Sequence, residues 1–467
     1  MLKIALIQTI QQEQTGRPEI GLGIAFLKSF IVKNEHNIDV ELFINNKQFY
    51  QDFNPMDYDM VGISSVSYCF DEAKDIAKKA KESDSKIPVL IGGSHITGLP
   101  ESIIYDYFDV GIVSEGEETF LELIRLYKKY QGFSANMLKD IKGICYLDNG
   151  TVHLTGYRNY ISPIDKIPHF DKTFLKKYGA LPYLITSRGC PYNCKYCSSH
   201  AAWNGKVRFH SPEYVINDIL EIKEIFGDDN RIIFKDDNFT ANKMLLRSLK
   251  ENLNYINSDG RNAAFIGSSH VGFINKNLLD TLITINTKKI NFGIESGSER
   301  LIQIVKGGSA SVKEAQAALD LCYDYGINVG SSFLIGVPEE TEDDLRRSYE
   351  FIISNLQNKR LFTAGTLILT PLPDKYSDYW KTAVGKYNIN ISNFKWKRLD
   401  FRGMHAYYHD YGGDSSINNW WSWRKSNDAL YIGGLQDEKF LKIIEPYELE
   451  MIKVNEMNLN ADRSKYN

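Results

Sequence analysis

Cysteine is scarce in this chain, and the sequence features of secreted and membrane proteins are missing. Only six of the 467 residues are cysteine, too few for the disulfide framework of a small secreted domain. No apolar run reaches the roughly 18 residues that a membrane-spanning helix needs. The short apolar stretch over residues 1–10 is followed by glutamine-rich sequence, without the small residues of a signal-peptide cleavage site. These absences lead us to expect a cytoplasmic protein.

An excess of charge of one sign is also lacking. The 55 basic and 59 acidic residues give a net charge of −4 and a pI near 6.2. This balance provides no electrostatic attraction for nucleic acid or for an anionic membrane, and we expect neither as a partner. The length of 467 residues, with 43% hydrophobic and 24% charged residues, is typical of a globular protein with two to four domains.

Three of the six cysteines lie within eight residues, in the segment Cys190-Pro-Tyr-Asn-Cys194-Lys-Tyr-Cys197. Thiolates are ligands that suit iron–sulfur clusters and zinc. Structural zinc takes four ligands, and His200 would have to supply the fourth. Three cysteines on a four-iron cluster leave one iron open, as a catalytic centre requires. The other cysteines stand singly in apolar surroundings and are expected to be buried free thiols: Cys69, Cys145 and Cys322.

The spacing CxxxCxxC, with Tyr196 directly before the last cysteine, resembles the signature of the radical S-adenosylmethionine (SAM) enzymes. The resemblance implies that the three cysteines bind a 4Fe–4S cluster. Its open iron would chelate the amino and carboxylate groups of SAM. An electron from the cluster would then split the sulfonium and release a 5′-deoxyadenosyl radical.

The N-terminal third alternates apolar strand patterns with helical patterns. Strands are predicted at residues 3–8, 40–43, 60–64, 89–91 and 110–113, and helices at 21–33, 71–81 and 117–130. This alternation indicates an α/β domain with a doubly wound, flavodoxin-like parallel sheet, which binds ligands at the carboxyl ends of its strands. Short polar or glycine-containing segments follow three strands: Ser64-Ser65, Gly92-Gly93-Ser94-His95 and Ser114-Glu115-Gly116-Glu117. By themselves they could be ordinary turns of such a domain.

Together with Pro18-Glu-Ile-Gly-Leu-Gly23 and the cysteine motif, these segments resemble the cobalamin-binding class of radical SAM enzymes. The resemblance covers nearly all of residues 1–375 and implies that a corrinoid lies over the sheet, with its nucleotide tail passing into the domain. The residues that it assigns to the cobalamin side are Ser64, Ser65, Gly92, Gly93, His95, Gly116 and Glu117.

The DxHxxG motif, whose histidine ligates cobalt in other cobalamin proteins, is absent. The corresponding stretch is Thr9-Ile-Gln-Gln12, and the partial match Gly93-Ser-His95-Ile-Thr-Gly98 follows a later strand. We therefore expect His95 to contact a loop or the tail, and no histidine to lie on the lower face of the corrinoid. A domain that has lost cobalamin stays an open alternative.

Residues 131–180 are less regular, with a hairpin predicted over residues 144–154. We place a cobalamin-binding domain at 1–156 and a linker at 157–180. A second alternation follows, with strands predicted at 183–186, 231–234, 264–266, 289–292, 328–334 and 366–369. Six strand–helix units predict a partial (β/α)6 barrel over 181–375, with its active site at the carboxyl ends of the strands. Helix boundaries are predicted by the start Ser211-Pro212, the stop Gly227 and the capping box Thr341–Asp344.

Polar residues follow the barrel strands, as they do in any barrel, but together they match the family. The segment 293–297 resembles the one beside the ribose and methionine of SAM, and 336–341 resembles the loop against the adenine, where Tyr196 would also pack. The residues that the resemblance assigns to the SAM side are Tyr196, Asp236, Asp237, Glu295, Ser296 and Gly336. Arg188 either tunes the cluster potential or forms a surface ion pair.

The resemblance ends after residue 375. Residues 376–467 are predicted to form a small α+β cap that sets substrate identity, and they contain Trp380, Trp396, Trp420, Trp421 and Trp423. With Tyr407, Tyr408 and Tyr411 these aromatic residues either line a substrate pocket or form the core of the cap. His405 and His409 would share a helical face, but the glutamate of an HExxH zinc motif is absent.

The expected function is that of a cobalamin-dependent radical SAM methyltransferase acting on an unactivated carbon of a small molecule or peptide. The resemblance implies that one SAM methylates cobalamin and a second yields the radical, with flavodoxin or ferredoxin as electron donor. A rearrangement or cyclisation without methyl transfer, a non-catalytic corrinoid or SAM sensor, and a zinc-binding interaction protein are the alternatives. A methylthiotransferase is disfavoured because the N-terminal domain lacks the cysteines for a second cluster.

Overall fold

The computed structural model describes residues 1–10, 20–227, 229–374, 377–399 and 430–463. The predictions for Trp420, Trp421, Trp423, the three clustered tyrosines, His405 and His409 lie outside the described residues, as does the side chain of His200. No helix among the described residues is both long and apolar enough to cross a membrane.

Seven strands form the N-terminal sheet, in the order β2-β1-β3-β4-β5-β6-β7. The first five are mutually parallel, and β6 and β7 form an antiparallel hairpin at one edge. Their bounds are β1 Leu2–Gln8, β2 Ile38–Ile44, β3 Met60–Ser64, β4 Val89–Gly92, β5 Val110–Ile112, β6 Ile144–Asp148 and β7 Thr151–Leu154. The strand order 2-1-3-4-5 is flavodoxin-like, so the predicted doubly wound sheet and its hairpin are confirmed.

Helices cover both faces of this sheet, which is why its central strands are apolar on both sides. Their bounds are Gly23–Asn34, Phe49–Asp52, Phe70–Ser83, Ser94–Gly98, Glu117–Tyr130 and Ala135–Leu138. In Phe70–Ser83 the buried residues include Ala73, Ala77 and Ala80, which recur at helical spacing. The helix Gly23–Asn34 buries Ile24, Phe26 and Phe30 against the other face.

Six parallel strands form the second sheet, in the order β8-β11-β12-β13-β14-β15. Each strand pairs with its sequence neighbour in this set, and no pairing closes β15 onto β8 among the described residues, so the sheet is an open, partial barrel. A separate antiparallel pair, β9 and β10, follows β8. The bounds are β8 Tyr183–Leu184, β9 Ser187–Arg188, β10 Arg208–Phe209, β11 Arg231–Phe234, β12 Ala264–Ser269, β13 Thr287–Glu295, β14 Asn328–Ile335 and β15 Phe362–Ile368.

Most of the barrel helices begin at side-chain caps. Ser211 caps Pro212–Phe226, which ends before Gly227, and the predicted capping box between Thr341 and Asp344 is present. The bounds of the barrel helices are Ser199–Trp203, Pro212–Phe226, Lys243–Glu251, Leu253–Ile256, Lys276–Thr284, Glu299–Val305, Val312–Asp324 and Glu342–Asn358.

The segment 157–180, predicted as a linker, is packed into the structure. It contains the short helix Thr173–Lys177, and its apolar side chains join the core between the first sheet and the helix Gly23–Asn34. Phe170, for example, packs edge-on against Phe26 at a centroid distance of 4.9 Å. The two sheets are thereby held together by a buried apolar layer.

Residues after 376 pack on both domains. The described ones are helical, in Asp378–Tyr387 and Asp437–Arg463, so the β content predicted for the cap is not found among them. Trp380 and Trp396 are buried in the core of the N-terminal domain. The helix Asp437–Arg463 packs on the barrel, where Asn455 exchanges two hydrogen bonds with the backbone of Ala364 and so satisfies the edge strand β15.

Trp396 provides a test of this packing. It is 0% exposed and lies 4.4 Å from the ring of His95 and 5.7 Å from that of Phe70. We expect Trp396→Ala to lower the free energy of unfolding by about 3–5 kcal/mol, because it removes a large buried side chain. Thermal unfolding would measure the change. Tyr255→Ala, at a side chain that is 59% exposed, is the control, and equal melting temperatures for both variants would contradict the expectation.

Candidate active site

The three clustered cysteines lie in the loop that follows β9, above the first barrel strand. Cys190 and Cys194 are partly buried, Cys197 is exposed, and all three are free thiols. The loop is closed by a hydrogen bond from the Cys197 N–H to the Cys194 carbonyl at 3.1 Å. Cys69, Cys145 and Cys322 are buried free thiols, as predicted.

Contacts tie the cysteine loop to the carboxyl ends of three other barrel strands. The Tyr196 hydroxyl donates to Glu295 at the end of β13 (2.7 Å), and the Ser199 hydroxyl donates to Asp237 after β11 (2.8 Å). Lys195 forms an ion pair with Glu339 after β14 (3.4 Å). Residues that the sequence places up to 144 positions apart thus meet around the loop.

Glu295 has an unusual backbone conformation. Its φ of +74° lies in the left-handed region, and the register between β13 and β14 shifts at this point. Burial raises the pKa of the Glu295 carboxyl, while the Lys306 charge and the Tyr196 hydrogen bond oppose the rise. A strained, buried carboxylate beside the cysteine loop is typical of a functional position.

Asp236 and Ser296 are buried side chains whose hydrogen bonds hold the backbone around the site. Asp236 is buried and accepts hydrogen bonds from the backbone and hydroxyl of Thr186 and from the hydroxyl of Ser187, just before the cysteine loop. Burial raises its pKa to about 6. Ser296 is fully buried and bonds to Ser348 on the helix Glu342–Asn358. Both side chains therefore hold backbone in place and do not face open space.

Gly336 begins the loop after β14 with a φ of +72°, and its N–H donates to the Glu340 carboxyl at 2.6 Å. The other Glu340 oxygen is buried with no partner among the described residues. Tyr431 packs against Gly336, so that an added Cβ would lie 2.8 Å from its ring. The C-terminal segment thus covers one side of this loop.

Glu340 gives a pH-dependent prediction. Burial raises its pKa to about 8, against the opposing hydrogen bond from Gly336. A carboxyl whose pKa is higher in the folded than in the unfolded state stabilises the fold at low pH and loses that contribution as pH rises through the folded pKa. We expect wild type to lose on the order of 1 kcal/mol of unfolding free energy between pH 7 and pH 9 relative to Glu340→Gln. Denaturant unfolding at both pH values would measure it, and parallel curves for the two proteins would contradict it.

A cavity of about 360 Å³ lies where the carboxyl ends of the first sheet face the cysteine loop. Its inner part is apolar and lies between the sheet and the helices Gly23–Asn34 and Glu117–Tyr130, with walls that include Leu6, Leu90 and Phe120. Its mouth is polar. The mouth is lined from the first domain by Ser64, Gly92, Gly93, Gly116 and Glu117, and from the barrel by Arg188, Gly189, Trp203 and Asp237.

Gly93 is required by the close approach of two loops at this mouth. Its φ is +98°, and an added Cβ would lie 2.5 Å from the Ser65 carbonyl. Gly92 differs, because a Cβ there would meet nothing nearer than 3.8 Å. The space above Gly92 is therefore open cavity.

Two residues assigned to the cobalamin side do not line the cavity. His95 is 0% exposed, and its ring nitrogens bond to the hydroxyls of Ser67 (3.1 Å) and Ser102 (3.0 Å). Burial lowers its pKa to about 3, so the ring is neutral. Ser65 is buried and bonded to Thr9 at 3.0 Å. His95 thus bonds to the segments that follow β3 and the helix Ser94–Gly98, and its side chain is part of the core beneath Trp396, outside the cavity lining.

Arg188 forms an ion pair, but not a surface one. Its side chain is 11% exposed and donates to Glu115 at 2.8 Å and Glu117 at 2.6 Å, both from the N-terminal domain. Arg208 also binds Glu115 at 2.8 Å. Burial alone would raise the pKa of Glu115, but Arg208 and Arg188 outweigh it and hold that pKa below its usual value.

Arg208 and Lys306 were missed by the sequence analysis. Lys306 is 6% exposed and donates to the Gly293 carbonyl at 3.0 Å, close to the cysteine loop. In the sequence it is an ordinary basic residue at the end of a helix, followed by two glycines. No sequence pattern around Arg208 or Lys306 distinguishes them from other basic residues, because their places in the site depend on contacts with distant strands.

The arrangement fits an iron–sulfur cluster better than a single metal ion. No group of three or more His, Cys, Asp or Glu side chains in the described part of the chain could hold one ion. In a 4Fe–4S cluster each cysteine binds a different iron, so the sulfurs stand further apart than the ligands of one zinc. Three free thiols in one closed loop are a suitable donor set for such a cluster.

Comparison with known proteins agrees with this arrangement. Residues 184–352 match the family model of the Radical SAM superfamily, and residues 15–124 match that of the B12 binding domain. An uncharacterized methyltransferase of Pyrococcus horikoshii is 30% identical over 393 residues, which is 82% of this chain and 81% of the relative.

Two solved structures share the fold. OxsB, a cobalamin-dependent S-adenosylmethionine radical enzyme solved with aqua-cobalamin and S-adenosylmethionine, matches with a TM-score of 0.68 at 15% identity, over 100% of this chain and 81% of that chain. The radical S-adenosylmethionine methyltransferase TsrM from Kitasatospora setae, solved with cobalamin and a 4Fe–4S cluster, matches with a TM-score of 0.66 at 14% identity, over 83% of this chain and 75% of that chain.

Proposed function

Because the chain belongs to the radical SAM superfamily and carries a B12 binding domain ahead of its barrel, we propose that it is a cobalamin-dependent methyltransferase acting on an unactivated carbon of a small molecule or peptide. The observation that carries the proposal is the cavity, which extends from the carboxyl ends of the first sheet to Gly189, Trp203 and Asp237, beside the cysteine loop. Residues of both domains thus line one space next to that loop. A methyl donor and a radical source have to share such a space to act on one substrate.

When bound, the cluster with SAM supplies a radical that removes hydrogen from carbon, and cobalamin supplies the methyl group. We assign Cys190, Cys194 and Cys197 as the cluster ligands. Tyr196 and Glu295 hold the loop against β13, where SAM would lie, and the Gly336 loop, after the neighbouring strand β14, is the proposed contact for the adenine. The buried side chains of Asp236 and Ser296 position the backbone of these segments through hydrogen bonds to Thr186, Ser187 and Ser348.

The apolar inner part of the cavity suits the aromatic base of the cobalamin tail. The mouth residues Ser64, Gly92, Gly93, Gly116 and Glu117 are the proposed contacts for the rest of the cofactor. His95 and Ser65 are not included, since both face away from the cavity. No histidine is among the residues that line it in the described part of the chain.

The electron donor is proposed to be a flavodoxin or ferredoxin. Cys197 is the exposed member of the cysteine set, so one edge of the cluster would lie near the protein surface. Electron transfer needs only close approach, and an exposed ligand allows it.

The test begins with protein reconstituted anaerobically with iron, sulfide and hydroxocobalamin. It is then reduced with SAM, and 5′-deoxyadenosine, S-adenosylhomocysteine and retained cobalamin are measured by mass spectrometry. We expect both nucleoside products and bound cobalamin. Deoxyadenosine alone with retained cobalamin would favour a rearrangement or cyclisation, and loss of cobalamin on gel filtration would contradict the proposal. Protein reconstituted without cobalamin is the control for S-adenosylhomocysteine formed by contaminants.

A further inference from the structure

Arg188 connects the two domains at the cavity. It lies in β9, two residues before Cys190, and its guanidinium spans Glu115 and Glu117 at the start of the helix Glu117–Tyr130. These carboxylates are more than 70 residues away in sequence. A guanidinium can serve two carboxylates at once because its donors form a rigid planar fork.

The charges at this contact are balanced and buried. Arg208 lies directly opposite Arg188 in the β9–β10 pair and donates to both oxygens of Glu115 (2.8 and 3.0 Å). Two guanidiniums therefore face two carboxylates, and each of the four side chains is at most 14% exposed. Removal of one member leaves an uncompensated charge in a poorly solvated site, so the set holds its geometry as a unit.

Arg188 is joined to the cysteine loop by a closely packed stretch of backbone. Gly189, the only residue between Arg188 and Cys190, has a φ of +105°, and an added Cβ would lie 1.9 Å from the Lys206 carbonyl. On the other side, Ser187 is held by Asp236. The backbone on both sides of Arg188 is therefore held by close neighbours, and the contacts of Arg188 help to fix where the cysteine loop begins.

The same residues form the cavity wall. Glu115, Glu117, Arg188 and Gly189 all line it, and the Arg188 guanidinium lies 5.5 Å from the centre of the Phe26 ring, which is another wall residue. A ligand in the cavity therefore contacts the residues that anchor the cysteine loop.

We propose that Arg188 is a positioning residue that couples occupancy of the cavity by cobalamin to the geometry of the cysteine loop, through its contacts with Glu115 and Glu117. The proposal rests on the proposed function, in which cobalamin fills this cavity and the loop holds the cluster. Its consequence is that cobalamin binding changes the environment of the cluster, even without substrate.

The experiment compares cluster-containing protein with and without saturating hydroxocobalamin. The electron paramagnetic resonance spectrum and midpoint potential of the reduced cluster are the readouts, and cobalamin affinity is measured by equilibrium dialysis. In wild type we expect cobalamin to shift both the spectrum and the potential. Arg188→Met should abolish the shift at saturating cobalamin, and Arg188→Lys, which keeps the charge but not the fork, should retain part of it.

Arg158→Met is the matched control. Arg158 pairs with Glu118 and Glu122 of the same helix, but those carboxylates are 45% and 46% exposed and lie outside the cavity wall. In Arg158→Met we expect cobalamin to shift the spectrum and the midpoint potential of the cluster as much as it does in wild type. Glu117→Gln serves as a second variant if Arg188→Met does not fold, and it should weaken the shift by removing one of the two carboxylate charges.

The outcomes separate the two proposals. Wild-type protein that retains no cobalamin would contradict the proposed function. Wild type that binds cobalamin without any shift, or Arg188→Met with a full shift, would overturn the role of Arg188 alone. An equal loss of the shift in Arg158→Met would also overturn it, since the effect would then belong to any ion pair of that helix.

Discussion

Replacement of Cys194 by alanine should remove most of the bound iron and reduce reductive cleavage of SAM to background. The same is expected of Cys190→Ala and Cys197→Ala, because a cluster with three protein ligands has none to spare and its open iron is needed for SAM. Iron and sulfide analysis, the absorbance of the reconstituted protein and 5′-deoxyadenosine formation would measure the loss.

Cys322→Ala is the control for this series. Cys322 is a buried free thiol in the helix Val312–Asp324, away from the cysteine loop. Its replacement removes a thiol without removing a proposed ligand, and it should leave the iron content unchanged. A cluster of normal iron content in any one of the three loop variants would show that the corresponding cysteine is not a ligand.

Gly92→Leu should weaken cobalamin binding by about 5- to 150-fold, because forcing a side chain into space that another group must fill costs about 1–3 kcal/mol. Gly92 lines the cavity, and a Cβ there meets nothing nearer than 3.8 Å, so the added side chain would enter the cavity. Equilibrium dialysis with hydroxocobalamin would measure the affinity, and the iron content should stay at the wild-type level.

A glycine outside the cavity provides the comparison. Gly385 lies in the helix Asp378–Tyr387, and a Cβ there meets nothing within 4 Å. Gly385→Leu should bind cobalamin as wild type does. Gly92→Ala adds a single methyl group and should have a smaller effect than Gly92→Leu. Unchanged affinity in Gly92→Leu would show that cobalamin does not occupy the space beside Gly92.

The cysteine loop and the two strand–helix alternations were accessible from sequence because they depend on short-range patterns. Three thiols within eight residues have to be close together in any fold. Runs of apolar residues separated by helical periodicity predict parallel strands with covered faces, and both predicted sheets occur. Capping also depends on a few neighbouring residues, and the box at Thr341 and Asp344 is present.

The locations of the side chains at the strand ends were predicted less well. Whether such a side chain points into the core or into the cavity depends on the segments that pack against it. His95 follows β4 as predicted, but Trp396, some 300 positions later in the sequence, covers it and makes it part of the core. Asp236 and Asp237 are neighbours in sequence, yet the first is buried under the cysteine loop and the second lines the cavity.

The sequence by itself determined the clustering of three thiols, the two α/β sheets and their order along the chain, since each of these rests on local composition and periodicity. Only the tertiary structure decided that Arg188 faces Glu115 and Glu117, that residues 157–180 join a core, and that the C-terminal aromatic residues Trp380 and Trp396 pack on the N-terminal domain. These contacts join residues from about 70 to 300 positions apart. Such pairs form where burial of charge and apolar surface brings distant segments together, and no local pattern encodes which segments meet.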